Sequence, residues 1–176
     1  MESGYHSERW LDLELLCLRP ERLDPMVDEL ARRLSAHRFD LVCGPLVEGA
    51  FLALMVAHRL SVPFTYAERF ERPAHGELYP VDYRLPGALR RVVNGKRVAV
   101  VNDVISAGSA VRGAVADLET CGATPVTIGT LLVLGDWTRR FGAEKGMAIE
   151  SLAFDSFRSW TPADCPLCAR GMPLTT

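Results

Sequence analysis

The chain has 176 residues, of which 48% are hydrophobic and 24% are charged, and its formal net charge is −2 at pH 7. This composition is typical of one globular domain, and the small net charge offers no general electrostatic basis for binding nucleic acid or an anionic membrane. Apolar runs stay shorter than the roughly 18 residues of a membrane span, and the first residues, MESGYHSERW, do not resemble a signal peptide. We therefore expect a cytoplasmic protein that acts on small molecules and has no nucleic-acid or membrane partner.

Helices and strands are predicted to alternate along most of the chain. An N-terminal helix is expected from Ser7 until shortly before Pro20, and Asp24-Pro25 is typical of the start of a second helix, which runs through Leu34. The later predicted elements are a strand at Phe39–Gly44, a helix at Glu48–Leu60, a strand at Pro63–Tyr66, a strand at Val98–Val101, a helix at Ser109–Cys121, a strand at Pro125–Leu134, a strand at Ile149–Phe154, and a short helix that starts at Thr161 and ends at Gly171.

The segment from residue 67 to residue 86 differs from its surroundings. It is polar, carries three prolines and a glycine, and could hold a short antiparallel excursion around Leu78–Tyr83. Elsewhere, strands separated by helices indicate an α/β fold with a mainly parallel sheet, right-handed crossovers and flanking helices. Ligands of such sheets bind beyond the carboxyl ends of the strands. Two predicted loops qualify, Cys43–Gly49 and Asn102–Ala110.

The second of these loops has the ingredients of a phosphate-binding turn. Small side chains allow backbone N–H groups to approach an anion, two hydroxyls can donate, and a helix begins there. Asp103, at the end of the preceding strand, can accept hydrogen bonds from the hydroxyls of a sugar, so the pair suits a ribose 5-phosphate. The turn consists of Ser106, Ala107, Gly108, Ser109 and Ala110. The alternative is an ordinary strand-to-helix turn with Ser106 as the helix N-cap. The spacing excludes a P-loop, a dinucleotide fingerprint and a nucleophile elbow.

The five cysteines do not form an obvious metal site. Cys17, Cys43 and Cys121 lie in apolar surroundings that suit buried thiols. Cys165 and Cys168 form a CxxC pair, but a structural zinc site needs further ligands, and the chain has no second CxxC and no HxxxH. Two free thiols on a short C-terminal helix are therefore favoured over zinc, and no residue is assigned as a metal ligand.

Several segments resemble one enzyme family. The stretch VVNDVISAGSA resembles the phosphoribosyl diphosphate (PRPP) signature of the type I phosphoribosyltransferases, and its A-G-S-A ending is more like the orotate enzymes. The segment DLVCGPLVEGAFLALMVAHRLSVPF is similar to the family's first strand, diphosphate loop and following helix. Arg69 through His75-Gly76-Glu77 matches the R-x-x-x-x-x-H-G-E pattern of the orotate enzymes' mobile loop, and the tail CPLCARGMPL is similar to the ends of some bacterial members.

The resemblance implies both a fold and a reaction. The fold would be a type I phosphoribosyltransferase-like α/β domain over residues 1–176, with a small hood formed by N- and C-terminal helices and a flexible loop within 67–86. The reaction would be transfer of ribose 5-phosphate from PRPP to orotate, a step of pyrimidine nucleotide synthesis that releases diphosphate. Mg²⁺ is the implied cofactor, held largely by substrate oxygens, and a homodimer is the implied assembly.

The resemblance also implies residue roles. Asp103, Arg69 and His75 would be catalytic, with the last two on a lid over the diphosphate. The implied substrate-binding residues are Asn102, the turn Ser106, Ala107, Gly108, Ser109 and Ala110, the diphosphate loop Pro45, Leu46, Val47, Glu48 and Gly49, and the cations Arg72 and Arg139. Without the resemblance, the arginines could equally be solvent-exposed, and His75 could simply occupy a turn.

Two departures from the family pattern leave alternatives open. Asn102 stands where the family usually has an acid, and Glu48 stands where orotate enzymes commonly place a lysine. The mobile loop also lacks its usual lysines. The alternatives are therefore the same transfer to another base, or a non-catalytic PRPP or nucleotide sensor on the same fold.

Overall fold

The protein was analysed as a computed structural model, which describes residues 6–7, 11, 15–71, 81–135, 137–155 and 158–172. The strands are β1 (His6–Ser7), β2 (Leu41–Pro45), β3 (Phe64–Glu71), β4 (Val81–Arg84), β5 (Arg97–Ile105), β6 (Thr124–Leu134), β7 (Ala148–Asp155) and β8 (Ser159–Trp160). The α-helices are α1 (Asp24–Leu34), α2 (Glu48–Leu60), α3 (Gly87–Val93), α4 (Ser109–Thr120) and α5 (Trp137–Lys145). Short 3-10 helices lie at Leu16–Leu18, Pro20–Arg22, Pro162–Asp164 and Cys168–Arg170.

The main sheet has six strands in the order β4-β3-β2-β5-β6-β7, and β1 and β8 form a separate two-stranded sheet. All neighbours in the main sheet are parallel except β3 and β4, which are antiparallel. The chain leaves β2 toward β3 and β4, then returns to the other side of β2 to form β5. The strand order therefore reverses between β2 and β5, where α/β sheets place their ligand crevice. The predicted α/β fold with a mainly parallel sheet is confirmed.

Helices cover both faces of the sheet. The side chains of β5 alternate between two hydrophobic clusters, because successive residues of a strand point to opposite faces. Ala99 and Val101 pack with α1 and α2, whereas Val98 and Val100 pack with α4. This double burial makes β5 the centre of the domain, so the residues at its carboxyl end are held on rigid backbone.

Local signals predicted the helices better than the strand ends. Helix α2 has the predicted limits, and α1 begins at Asp24 itself, with Leu23 as its N-cap. Strand β5 continues past its predicted end to Ile105, because its last residues pair with β6. Helices α3 and α5 were not predicted. Of the helices in the described parts of the chain, none is long and apolar enough to cross a bilayer.

Two terminal predictions need correction. Ser7 was expected in a helix but lies in β1, where it pairs with Ser159; a partner so remote in sequence leaves no local signal. The predicted C-terminal helix is instead two 3-10 helices. The Thr161 side chain caps the first of them by accepting a hydrogen bond from the N–H of Asp164. Residues 8–10 and 12–14 of the predicted N-terminal helix lie outside the described residues, and its last part contains only the short 3-10 helix Leu16–Leu18.

The predicted loop region 67–86 is narrower in the structure. Its first residues belong to β3 and four of its last residues form β4, which pairs antiparallel with β3. This arrangement agrees with the predicted antiparallel excursion. Residues 72–80 lie outside the described part of the chain.

Candidate functional site

Asp103 lies near the carboxyl end of β5, at the point where the strand order reverses. Its side chain is enclosed, since the residue is only 6% exposed. The neighbouring strand fixes its backbone, because Thr130 Oγ1 on β6 donates to the Asp103 carbonyl oxygen over 2.9 Å. The carboxylate is thus presented from a rigid position at the edge where ligands of such sheets bind.

The surroundings of Asp103 raise the pKa of its carboxyl to about 6. Burial is the largest cause, because it disfavours the charged form. Hydrogen bonds from the N–H groups of Val104 and of Asp103 itself oppose the rise, whereas the negative charge of Glu48 adds to it. The result is a carboxylate that is ionised at neutral pH but takes up a proton far more readily than an exposed aspartate.

Asn102 connects the two loops of the crevice. Its Nδ2 donates to the Val104 carbonyl oxygen over 2.8 Å, and its Oδ1 lies against Gly49, where an added Cβ would collide with it. An ionised aspartate has no donor for the first of these contacts. The amide, which departs from the family pattern, therefore has a structural reason in this chain.

The loop after β2 is closely packed against its surroundings. The N–H of Leu46 donates to the Ala67 carbonyl oxygen over 2.9 Å, and the Leu46–Val47 peptide bond is cis. A Cβ on Gly44 would lie 2.6 Å from both Ala53 Cβ and the Gly49 carbonyl oxygen. Only glycine allows β2 and α2 to approach so closely, so the glycines of GPLVEG shape this loop.

Helix α4 begins without a side-chain cap. Its N-cap is Gly108, in the left-handed conformation with φ of 72°, which glycine adopts at little cost. The alternative that Ser106 caps the helix is therefore wrong. The first turn of α4, which follows β5 in the chain, has no capping side chain for its N–H groups, an arrangement suited to an anion.

Three further residues belong to this region although the sequence did not single them out. Thr130 is a polar residue inside an apolar strand, which could have marked it. Arg112, one turn into α4, places Nη2 3.3 Å from the Ala107 carbonyl oxygen and brings a cation to the turn. Burial, then the charges of Asp103 and Glu48, raise the pKa of the Cys17 thiol, so the N-terminal segment also lies near the crevice.

The predicted lid and base-binding residues are described only in part. Arg69 lies in β3, two residues beyond Ala67, which pairs with Pro45 at the end of β2, so Arg69 lies at the same edge of the sheet. Arg72 and His75 lie outside the described residues. Arg139 is in α5, which follows the carboxyl end of β6, but its side chain is not described.

Comparison with known proteins is consistent across most of the chain. The family model of the phosphoribosyl transferase domain matches residues 21–157. The orotate phosphoribosyltransferase of Thermotoga maritima is 32% identical, over 98% of this chain and 85% of its own length. A solved orotate phosphoribosyltransferase from Aeropyrum pernix has a TM-score of 0.63 at 26% identity and covers 82% of this chain and 78% of its own. An adenine phosphoribosyltransferase from Thermoanaerobacter pseudethanolicus shares the fold, with a TM-score of 0.66 at 22% identity over 83% of this chain and 88% of its own.

Proposed function

This chain belongs to the phosphoribosyltransferase family, and we propose that it transfers ribose 5-phosphate from PRPP to orotate with release of diphosphate. The observation that carries the proposal is the position of Asp103. Its buried carboxylate belongs to β5 at the reversal of strand order, a few residues before the uncapped start of α4. Similarity to orotate enzymes over most of this chain and of theirs supports orotate as the base.

The turn between β5 and α4 would hold the 5-phosphate of PRPP. Gly108 keeps the backbone free of a side chain at the helix start, and Ser106 and Ser109 offer hydroxyl donors beside the N–H groups of the first turn. Fixing the phosphate fixes the ribose. The reacting carbon is thereby placed between the leaving diphosphate and the incoming base.

Asp103 would act on the ribose. As an ionised carboxylate it accepts hydrogen bonds from the sugar hydroxyls and orients the ring. Departure of diphosphate builds positive charge on the sugar ring, and a fixed negative group in an enclosed site stabilises such charge more strongly than water does. Asn102, by contrast, would act by holding the loop at Gly49, because its Nδ2 is engaged by Val104.

The loop Pro45–Gly49 would bind the diphosphate, with Arg69, Arg72 and His75 as further cationic or hydrogen-bonding groups. Glu48 brings a negative charge to this loop, at the first turn of α2. Glu48 and Asp103 lie close enough to influence each other, and carboxylates joined by substrate oxygens are the ligands that Mg²⁺ prefers. Both residues therefore fit a bound Mg²⁺, which would supply positive charge to the leaving diphosphate. Arg139, in α5, is the proposed partner of the orotate carboxylate.

A homodimer is the proposed assembly. Helix α2 and the residue before it expose Val47, Phe51 and Leu54, which lie on one face of the helix by their spacing of four and three. Such a row of large apolar side chains suits contact with a second copy. Light scattering after gel filtration would report twice the chain mass of 19.4 kDa if this is correct.

One experiment tests the reaction. The protein is incubated with PRPP, Mg²⁺ and one of a panel of bases that includes orotate, uracil and adenine, and diphosphate release is measured. We expect turnover with orotate and its loss in Asp103→Ala, whereas a variant of an acid outside the site, Glu119→Gln, keeps it. Absence of turnover with every base would overturn the proposal.

Glu48 favours one other function. Its negative charge in the diphosphate loop suits a protein that binds PRPP or a nucleotide without turning it over. Calorimetric titration that shows binding, combined with no diphosphate release, would identify such a sensor. Activity gained in the double variant Glu48→Lys, Asn102→Asp would support the same conclusion.

A further inference from the structure

Three metal-binding side chains from opposite ends of the chain meet outside the proposed active site. His6 Nδ1 lies 3.1 Å from Cys168 Sγ, and the ligand atoms of His6, Cys165 and Cys168 all lie within 4.8 Å of one another. Within the described ranges the group has these three members. None of them takes part in the proposed transfer reaction.

The backbone brings these residues together through the small sheet. Strand β1 pairs antiparallel with β8, with His6 opposite Trp160. The chain then passes through Pro162–Asp164 and reaches the turn Cys165-Pro166-Leu167-Cys168. A ribbon of two residues per strand is far too short to be stable by itself. The terminal segments therefore need an additional link to stay paired.

The CxxC turn places hydrogen-bond donors around its first sulfur. The N–H groups of Cys168 and Leu167 hydrogen-bond to Cys165 Sγ, and the two sulfurs are in hydrogen-bonding contact. Cys165 is only 2% exposed. Hydrogen bonds of this kind fix the orientation of a side chain that binds a metal.

We propose that His6, Cys165 and Cys168 bind one Zn²⁺ that joins the two ends of the domain. Nitrogen and sulfur ligands are the ones zinc prefers. A tetrahedral ion with bonds of about 2.3 Å to sulfur and about 2.1 Å to nitrogen holds its ligands roughly 3.6–3.8 Å apart. The His6–Cys168 separation of 3.1 Å is slightly shorter than this value, and no two ligand atoms of the group are more than 4.8 Å apart, so closure around the ion needs only small side-chain movements. A water molecule completes the fourth position.

A disulfide between Cys165 and Cys168 is the competing chemistry. It would leave the imidazole beside the Cys168 sulfur without a function, whereas a zinc ion uses all three groups. The ion would also act on the site at a distance. The segment Leu16–Leu18 follows β1 in the chain. Burial, and then the charges of Asp103 and Glu48, raise the pKa of Cys17 within this segment. Anchoring β1 therefore holds the N-terminal segment beside the crevice.

The test measures bound metal directly. The full chain, purified without a metal-affinity step and gel-filtered, is analysed for zinc by mass spectrometry. We expect one zinc per chain, and its loss in Cys165→Ser, Cys168→Ser and His6→Gln. Cys17→Ser and His58→Gln serve as matched controls, because each changes a residue of the same type outside the group, and both should keep the ion.

A second measurement keeps the proposal testable if the variants fold poorly. Cobalt(II) exchanged into the wild-type chain should produce a sulfur-to-cobalt charge-transfer band and the strong visible bands of a tetrahedral site. A wild-type chain without zinc and without these cobalt bands would overturn the proposal, as would zinc retained in all three ligand variants. A Cys165–Cys168 disulfide found in the metal-free protein would overturn it as well. All of these outcomes are measured as metal content, visible spectra or disulfide content, so they are distinguishable from the result of the transferase assay.

Discussion

Glu48, at the start of α2, and Asp103, on β5, are two carboxylates on either side of one crevice. Burial of Asp103, and after it the charge of Glu48, raises the pKa of the Asp103 carboxyl to about 6. The two negative charges repel each other, so their surroundings favour either a proton on Asp103 or a nearby metal cation. This pair connects the acid–base behaviour of the site with its proposed use of Mg²⁺.

The first prediction concerns the pH dependence of turnover. Since the proposed role of Asp103 needs its ionised form, kcat/KM should fall as the pH is lowered through about 6. Glu48→Gln removes a charge that raises this pKa, so the acidic limb of the profile should move to lower pH. Initial rates of diphosphate release across pH 4.5–8 would show this shift of the acidic limb, which should be about one pH unit or less. Glu119→Gln is the control, and a Glu48→Gln profile identical to it would contradict the prediction.

The second prediction is that the ionised Asp103 carboxylate lowers the free energy of unfolding at neutral pH. Its pKa is higher in the folded chain than its ordinary value of 3.8, so the folded protein binds this proton more readily than the unfolded chain. Its contribution to stability is therefore lost as the pH rises from 3.8 to about 6. Asp103→Asn should then stabilise the fold at pH 7 by on the order of 2 kcal/mol, while removing turnover.

Urea unfolding at pH 7 measures this effect, with Asp117→Asn as the contrasting variant. Asp117 accepts hydrogen bonds from the Leu85 N–H at 2.8 Å and from Arg90 Nη1 at 2.8 Å. Loss of that charge should destabilise the protein by about 1–3 kcal/mol. An Asp103→Asn variant less stable than the wild type would show that the carboxylate is not strained by burial.

The third prediction is that Asn102→Asp weakens the fold. The substitution replaces the Nδ2 donor by an oxygen that faces the Val104 carbonyl oxygen. Asn102 is only 8% exposed, so loss of the donor leaves two acceptors facing each other away from water. This should lower the free energy of unfolding by about 1–3 kcal/mol. Asn94→Asp is the control, since the Asn94 amide makes a similar bond to the Cys121 carbonyl oxygen but lies at an exposed position. Equal losses of unfolding free energy in the two variants would contradict the bridging role of Asn102.

The fourth prediction concerns the approach of the two loops. An added methyl group in Gly49→Ala would collide with Asn102 Oδ1, so the loop after β2 must move away from β5. We expect KM for PRPP to rise by about tenfold or more, because the groups that hold the two ends of PRPP lose their spacing. Gly87→Ala is the control, because nothing lies within 4 Å of its added Cβ. Steady-state kinetics at saturating orotate would reveal the difference, and unchanged KM in Gly49→Ala would refute it.

The sequence predicted well whatever depends on neighbouring residues. The apolar spacing from Glu48 to Leu60 specified α2 to the residue, and the small residues after β5 predicted a strand-to-helix turn with space for an anion. Alternation of strands and helices was enough for the fold class, because parallel strands require helical crossovers. The end of β5 was placed too early, since Asn102 and the residues after it are polar or mixed and extend the strand only through their pairing with β6.

Relations between remote residues were decided by the tertiary structure. No local pattern shows that Asn102 donates to the Val104 carbonyl oxygen while it lies against Gly49. By comparison with the family pattern alone, this amide was only a departure from the usual acid. The CxxC pair was interpreted as two free thiols because its third partner, His6, lies at the other end of the chain. Sequence by itself determined helices α1, α2 and α4, the sheet type and the strand-to-helix turn after β5, since these follow from periodicity and turn chemistry. The facing carboxylates and the joined chain ends exist only in the folded protein, because each depends on contacts that form when distant segments pack.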